Sequence, residues 1–219
     1  MSLILRDRQI QRIQIVDDDP YVRESHKELV EDMELLPVNG QARLPNLDQF
    51  ILDVQQNADA AICDHHLTPR QYASFKGAEA VATLYHQRFP AILCTKYEEA
   101  NLDEIRPFRR QIPVLLTPSE LNLQSVRKGF EICVEEFNNN YLPSRRPWRT
   151  LIRVDDADNV FAYLIVPAWN PQRVVRLLLS EIPTIIRQRI ESGQERFHAK
   201  VNIGAEQAED LYFTDWEER

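Results

Sequence analysis

The sequence predicts an α/β protein: a five-stranded, parallel, doubly wound sheet followed by a small α+β domain. Three observations carry this prediction. Short apolar runs alternate with amphipathic stretches of helical length between residues 12 and 138, which is the pattern of strand and helix repeats. The strand runs are nearly all apolar, as expected for parallel strands covered on both faces. The alternation is lost after residue 138, which indicates a second domain.

The first strand and helix are joined by a run of three aspartates. Residues 12–16 (RIQIV) are a short β-branched run, and Asp17, Asp18 and Asp19 follow it directly. A helix is predicted to begin at Pro20, because the first helical residue needs no N–H for an intrahelical bond. Asp19 is then a natural N-cap, since its carboxylate can accept a hydrogen bond from the first turn.

Four more strands and four more helices complete the predicted first domain. The strands fall in residues 35–40, 60–63, 90–95 and 112–117, and the helices in residues 47–56, 77–89, 98–110 (the weakest) and 121–139.

A polar segment that contains proline, NNNYLPSRRPW, separates a domain of residues 1–138 from one of residues 139–219. In the second domain, residues 150–154 and 159–166 flank an acidic turn and predict a hairpin. The predicted long helix covers residues 171–193, and Pro183 kinks or divides it. Its apolar positions cover more than one face, which suits burial on a sheet and, alternatively, a homodimer surface. Two further strands are predicted at residues 197–204 and 211–218.

Composition narrows the class of protein. The chain has 219 residues, 43% of them hydrophobic, and a net charge of -8. No apolar run is long enough to span a membrane and no secretory signal is visible, so a cytoplasmic protein is expected. Each of the three cysteines lies inside an apolar run, which fits a reducing compartment. The second domain has 11 basic and 12 acidic residues and too few helices for a helix-turn-helix module, so DNA binding is disfavoured.

Four polar residues end neighbouring strands of the predicted sheet. Asp17 and Asp18 follow the first strand, Asp64 follows the third, and Thr95 ends the fourth. Ligands of open parallel sheets bind at the carboxyl ends of the strands. Carboxylates are the ligands that Mg²⁺ prefers, and a hydroxyl can donate to a phosphoryl oxygen. These residues predict a magnesium site that suits phosphoryl chemistry.

On these residues, the first domain resembles the receiver domain of two-component response regulators, which has a flavodoxin-like fold. The acidic pair matches Asp17 and Asp18 in VDDDP, the phosphoacceptor matches Asp64 in AAICDHHL, and the hydroxyl matches Thr95 in ILCT. The resemblance implies that a histidine kinase transfers a phosphoryl group to Asp64. It also implies that Asp17, Asp18 and Asp64, with the backbone carbonyl of His66, hold Mg²⁺. Such a protein is a signalling protein rather than an enzyme, and it acts through contacts with other proteins.

Three features depart from the receiver pattern: the residues at two positions, and the loop between Asp64 and Gly77, which is longer than usual and could cover the site. Thr117 stands where the family has a lysine before the proline at the fifth strand end, and Val114 stands where it has an aromatic switch residue. Lys96 follows Thr95, where a small residue is usual, and its ammonium is a candidate replacement for the missing lysine or a permanent counterion in the pocket. These departures leave open a binding or scaffold module that is never phosphorylated.

A metal-dependent phosphoesterase is the enzymatic alternative. Asp64, His65 and His66 match the third motif of the DHH phosphoesterases, whose aspartate and histidine side chains help to hold two metal ions. That family also needs a histidine and a DxD motif at its first strand end, where only Asp17 and Asp19 are available here. The sequence therefore favours the receiver interpretation over the esterase.

Overall fold

The structure is a computed structural model that describes residues 2–40, 43–44, 46–68, 70–96 and 103–217. The chain divides into two compact units, one of residues 1–101 and 111–140 and the other of residues 102–110 and 141–219. Residues 102–110 thus group with the second unit although they lie between two strands of the first. The domain boundary that we predict after residue 138 stays a prediction.

The first unit begins with a hairpin that the sequence did not predict. Strands β1 (Leu3–Leu5) and β2 (Arg8–Ile10) pair antiparallel across a turn in which Arg6 has a φ of 53°. The strands of the central sheet follow: β3 (Arg12–Val16), β4 (Leu36–Asn39), β5 (Ala60–Cys63), β6 (Ala91–Cys94) and β7 (Leu115–Leu116). This sheet is entirely parallel, in the spatial order β4-β3-β5-β6-β7.

Counted along the chain, this order is 2-1-3-4-5, the strand order of flavodoxin-like doubly wound sheets. The four long helices of the first unit are α1 (Pro20–Asp32), α2 (Leu47–Asn57), α3 (Gly77–His86) and α4 (Leu123–Phe137). The predicted fold class is therefore confirmed. Of the weak helix predicted at residues 98–110, residues 98–102 lie outside the described residues, and Arg106–Gln111 form a 3-10 helix.

The core of the first unit lies between the sheet and its helices. The central strands β3, β5 and β6 contribute side chains that are almost completely buried, because both faces of the sheet are covered there. Helix α4 contributes Phe130, whose side chain has no solvent exposure. Representative members of this core are Ile13, Ile15, Ile62, Ile92, Val126, Phe130 and Cys133.

The second unit is built on an antiparallel sheet. Its strands are β8 (Trp148–Ala157), β9 (Phe161–Val166), β10 (Asn170–Leu178), β11 (Arg196–Val201) and β12 (Phe213–Thr214). Their order in the sheet is β10-β9-β8-β11-β12. Strands β8 and β9 form the hairpin predicted around the acidic turn, and that prediction is confirmed. Helix α5 (Thr184–Glu191) contributes Ile186 and Ile190 to a second core.

The prediction of one long helix over residues 171–193 is wrong. Asn170–Leu178 form strand β10, and helix α5 covers only Thr184–Glu191. In β10, buried Val175 and Leu177 alternate with exposed neighbours, which is the period of a strand. An apolar run of this length fits either element locally, and the pairing of β10 with β9 decides for the strand.

No helix among the described residues is long and apolar enough to cross a membrane. The three cysteines are buried as free thiols. Burial raises the pKa of the Cys94 thiol to about 12, so this group stays protonated at neutral pH. Cys63 and Cys94 therefore act as small core residues at the ends of their strands.

Because β10 is a strand, Leu177 and Val174 lie on opposite faces of the sheet, and their substitutions should differ in their effect on the free energy of unfolding. We expect Leu177→Ala to lower the free energy of unfolding by about 2–5 kcal/mol, because Leu177 is only 1% exposed and its loss leaves a cavity. The control Val174→Ala removes a side chain that is 43% exposed, and should change stability by less than about 0.5 kcal/mol. Urea denaturation of both variants measures the difference, and equal losses would contradict the strand.

Candidate metal and phosphoryl site

Three carboxylates converge at the carboxyl ends of two neighbouring strands. Strands β3 and β5 pair in parallel with Val16 opposite Cys63, so the residues that follow each strand lie side by side. One carboxylate oxygen from each of Asp17, Asp18 and Asp64 lies within 4.8 Å of the others. The structure thus brings together the three predicted carboxylate ligands.

The turn after β3 gives each aspartate a separate role. The Asp17 carboxylate accepts a hydrogen bond of 2.7 Å from the backbone N–H of Asp19. Asp19 in turn accepts one of 2.8 Å from the N–H of Tyr21 and caps helix α1, as predicted. Because Asp19 is used as the cap, the site is built from the two aspartates before it.

The backbone around Asp64 is fixed on both sides. Its N–H donates to the carbonyl of Val16 at 2.8 Å, and its carboxylate accepts from the N–H of His66 at 2.8 Å. Gly77 begins helix α3 directly against this turn, since a Cβ at that position would lie 1.8 Å from the Asp64 carbonyl oxygen. Only glycine allows this approach of helix and strand end.

Asp17 is the most buried carboxylate of the cluster, and the residue is only 6% exposed. Burial is the main cause that raises the pKa of Asp17 to about 7; the hydrogen bond from Asp19 opposes it, and the charges of Asp64 and Asp18 add to it. A divalent cation would remove this penalty, because it neutralises the carboxylates that repel one another.

Thr95 ends β6, the strand next to β5 on the side away from β3. Its N–H donates to the Leu116 carbonyl at 2.9 Å, which ties this strand end to β7. The residue is 1% exposed, and its hydroxyl has no hydrogen-bond partner among the described residues. A buried hydroxyl without a partner is costly, and a ligand oxygen at the site would satisfy it. Lys96, the next residue, is exposed.

The fifth strand end carries negative rather than positive charge. Thr117 donates to the Glu120 carboxylate twice, through its N–H at 2.8 Å and its hydroxyl at 2.9 Å. The position of the family lysine is therefore occupied by a hydroxyl that is bound to a carboxylate. Val114 is 7% exposed and packs in the core, so no aromatic ring is present there to rotate.

A cation that the sequence pattern does not predict lies on the acidic turn. Arg70, in the long loop between β5 and α3, contacts the Asp19 carboxylate at 3.0 Å and the Asp18 carboxylate at 3.9 Å. The loop is held by Tyr72, which is 4% exposed and lies under the Arg23 guanidinium. Only the unusual length of the loop could have pointed to such a contact.

The donor set suits a hard divalent cation. All three groups in the cluster are carboxylates, and Mg²⁺ is bound in proteins by few carboxylates together with water. The partnerless Thr95 hydroxyl fits an anionic ligand beside such a cation. Among the described residues, the imidazoles of His65 and His66 are not part of the cluster.

The raised pKa of Asp17 predicts a pH dependence of stability in the absence of metal. A carboxyl whose pKa is about 7 when folded and near its ordinary value when unfolded stabilises the fold at low pH. That contribution is lost as pH rises from about 4 to 7. We expect Asp17→Asn to be more stable than the unaltered protein at pH 8 in EDTA, and to lose this advantage near pH 4.

Thermal denaturation across this pH range measures the effect. The control is Asp155→Asn, which removes an exposed carboxylate of the second unit. Glu181, whose pKa burial raises to about 7, contributes equally to all three proteins. A stability difference between Asp17→Asn and the unaltered protein that does not change with pH would contradict the prediction.

The contacts of Arg70 predict that it competes with divalent cations. We expect Arg70→Gln to bind Mg²⁺ about two- to fivefold more tightly, because the variant removes a positive charge from the carboxylates that bind the ion. Arg43→Gln is the control, since Arg43 is exposed and bonds to Gln71 rather than to a carboxylate. Calorimetric titration measures both affinities, and the difference should shrink at high salt. Equal affinities at low salt would rule out the competition.

Several solved structures of receiver domains are similar to about 59% of this chain. No protein-family model and no curated protein matches the chain. Three solved structures illustrate the matches. A response regulator receiver domain protein from Clostridium thermocellum is 10% identical, with a TM-score of 0.45 over 59% of this chain and 98% of its own. A CheY-like receiver domain protein from Methanospirillum hungatei JF-1 is 16% identical, with a TM-score of 0.44 over 59% and 98%.

The third is the anti-anti-sigma factor PhyR from Bartonella quintana, which is 23% identical with a TM-score of 0.43 over 61% of this chain and 51% of its own. These matches leave the second unit unassigned. The sheet order of the first unit is the one known from receiver domains and flavodoxin. The strand order 2-1-3-4-5 confirms the predicted flavodoxin-like fold of the first unit, which is the fold class of receiver domains.

Proposed function

We propose that this protein is an atypical response regulator whose Asp64 accepts a phosphoryl group in the presence of Mg²⁺. One observation supports this most directly. Asp17, Asp18 and Asp64 converge at one end of a parallel sheet, and the next strand ends in Thr95, a buried hydroxyl without a partner. Carboxylates for a cation and a hydroxyl for a phosphoryl oxygen are the groups that phosphoryl transfer needs.

The transfer uses the carboxylate of Asp64 as the nucleophile. One of its oxygens forms a bond to phosphorus, and the bond between phosphorus and the donor breaks, so the donor leaves with the bonding electrons. The His66 N–H holds the carboxylate in a fixed orientation through its hydrogen bond. Mg²⁺, held by Asp17, Asp18, Asp64 and the His66 carbonyl, would neutralise the negative charge that gathers at the site.

Thr95 then distinguishes the phosphorylated from the unphosphorylated state. Its hydroxyl donates to a phosphoryl oxygen and gains the hydrogen bond that it lacks among the described residues. Val114 supplies no ring to follow this movement, so the signal passes through backbone next to Thr95. The phosphoryl donor is a histidine kinase, and the output is contact with another signalling protein.

A binding module without phosphoryl transfer is the second candidate. The hydrogen bond from Thr117 to Glu120 favours the binding module, because the position where receivers carry a lysine holds a threonine bound to a carboxylate. Removing a cation from a site with several carboxylates weakens the binding of an anionic phosphoryl group. In this candidate the site binds Mg²⁺ and partners, and Asp64 is never modified.

The test is modification by a small phosphodonor. With acetyl phosphate and Mg²⁺, we expect intact-protein mass spectrometry to show one added phosphoryl group, because Asp64 is the nucleophile. Asp64→Asn should abolish it, whereas Asp53→Asn, a carboxylate on helix α2 outside the cluster, should retain it. Thr95→Ala should reduce the amount of adduct by about tenfold or more.

Each other outcome excludes the proposal in a different way. Mg²⁺ binding without an adduct would support the second candidate. Steady hydrolysis of a phosphodiester with Mn²⁺ would revive the esterase. An adduct that survives in Asp64→Asn would place the acceptor elsewhere.

A further inference from the structure

One face of the sheet in the second unit carries clustered positive charge. In β8 and β11 the side chains of Ile152, Phe197 and Ala199 point into the core and are almost completely buried. Successive residues of a strand point to opposite faces, so their neighbours form the other face. We call this surface the basic face; its members on these strands are Arg149, Leu151, Arg153, Arg196, His198 and Lys200.

The register sets like charges directly opposite each other. Arg153 pairs with Arg196, and Arg149 pairs with Lys200, while the row between them holds an apolar residue and a histidine. Cα atoms of such pairs are about 5 Å apart, and like charges directly opposite each other destabilise a sheet. The basic face therefore carries two unfavourable pairs.

The protein's own chain neutralises one of these pairs. Arg149 binds the Glu217 carboxylate through two nitrogens, one of them at 2.8 Å, and Lys200 binds the Asp215 carboxylate at 2.9 Å. The backbone N–H of Glu217 also donates to the His198 carbonyl at 2.8 Å. The basic face thus binds an acidic segment through its carboxylates.

The other pair has no such partner. Arg153 and Arg196 are both exposed, and neither has an ion pair or a hydrogen bond from its side chain among the described residues. Along the same face, Ile165 is opposite Arg153 in β9 and is buried, whereas Val174, opposite Ile165 in β10, is 43% exposed. A charge pair without carboxylate partners suits a partner that supplies carboxylates.

We propose that the basic face binds an extended acidic segment of a partner protein, with Arg153 and Arg196 as the residues that pair with its carboxylates. Asp215 and Glu217 show this mode of binding at the neighbouring pair. The rows of charge are four residues apart along β8, about 13 Å, and Leu151 lies between them. Because Glu217 and Asp215 already occupy the row of Arg149 and Lys200, the partner segment supplies an acidic residue at the row of Arg153 and Arg196 and an apolar residue two positions along, beside Leu151.

Nucleic acid fits the basic face less well. The chain has a net charge of -8, which opposes the approach of a phosphate backbone. The forked contact of Arg149 with Glu217 is instead a geometry that recognises carboxylates. This proposal does not depend on phosphorylation of Asp64.

Fluorescence anisotropy with a labelled peptide of Glu-Ser-Leu-Ser repeats tests the proposal on the full chain. We expect binding that weakens with salt and that is about tenfold weaker for the same peptide with glutamine in place of glutamate. The double variant Arg153→Gln/Arg196→Gln should lose about tenfold in affinity. Arg127→Gln/Lys128→Gln, an equal loss of charge on helix α4, should bind as the unaltered protein does.

A second variant separates binding from folding. Arg196→Glu makes the pair with Arg153 one of opposite charges, so we expect a higher thermal midpoint together with loss of peptide binding. A lower midpoint would show that the two arginines are structural and would overturn the proposal. Equal binding by all variants would overturn it as well. Binding of a short oligothymidylate through Arg153 and Arg196, in place of the peptide, would assign the basic face to nucleic acid instead.

Discussion

The burial of Asp17 beside two other carboxylates, at the carboxyl ends of β3 and β5, is the constraint on which the candidate site of the first unit depends. Asp17 is buried beside Asp18 and Asp64, and its pKa is raised to about 7. A cluster of this kind is unfavourable when it is fully ionised and empty of cations, and it becomes favourable when a divalent cation or a proton is bound. The fold supports it with rigid elements: the cap at Asp19 fixes one strand end, and the close approach of Gly77 fixes the other.

The distribution of cations around this cluster sets the protein apart from the receiver pattern. At the fifth strand end, Thr117 is bound to Glu120, so that side of the pocket carries no positive charge of its own. On the opposite side, Arg70 contacts Asp18 and Asp19 from the long loop after β5. Compared with the receiver pattern, the positive charge near the cluster thus lies at the acidic turn rather than at the fifth strand end.

The second unit shows the reverse electrostatic problem. On the basic face, the register of β8 and β11 brings positive charges together, and the acidic residues 215 and 217 compensate one pair. The total charge of the second unit is close to zero and does not indicate this arrangement, because acidic and basic residues are unevenly distributed over the sheet. In both units, the residues with the clearest binding potential are those whose charges the fold brings together at a cost. Stability is reduced locally at such sites, and a ligand or partner that binds there restores it.

The sequence by itself determined the elements whose signals are local. Apolar runs and helical spacing identified the strands and helices of the first sheet, and strand ends identified Asp17, Asp18, Asp64 and Thr95 as neighbours. Tertiary structure decided the rest. Strand β10 was mistaken for part of a helix, because its apolar run fits both elements until β9 pairs with it. The contact of Arg70 with Asp19 could not be predicted either, because it depends on how a loop closes onto a distant part of the chain. The pairing of Arg153 with Arg196 could not be predicted because it depends on the register of two strands that are far apart in the sequence.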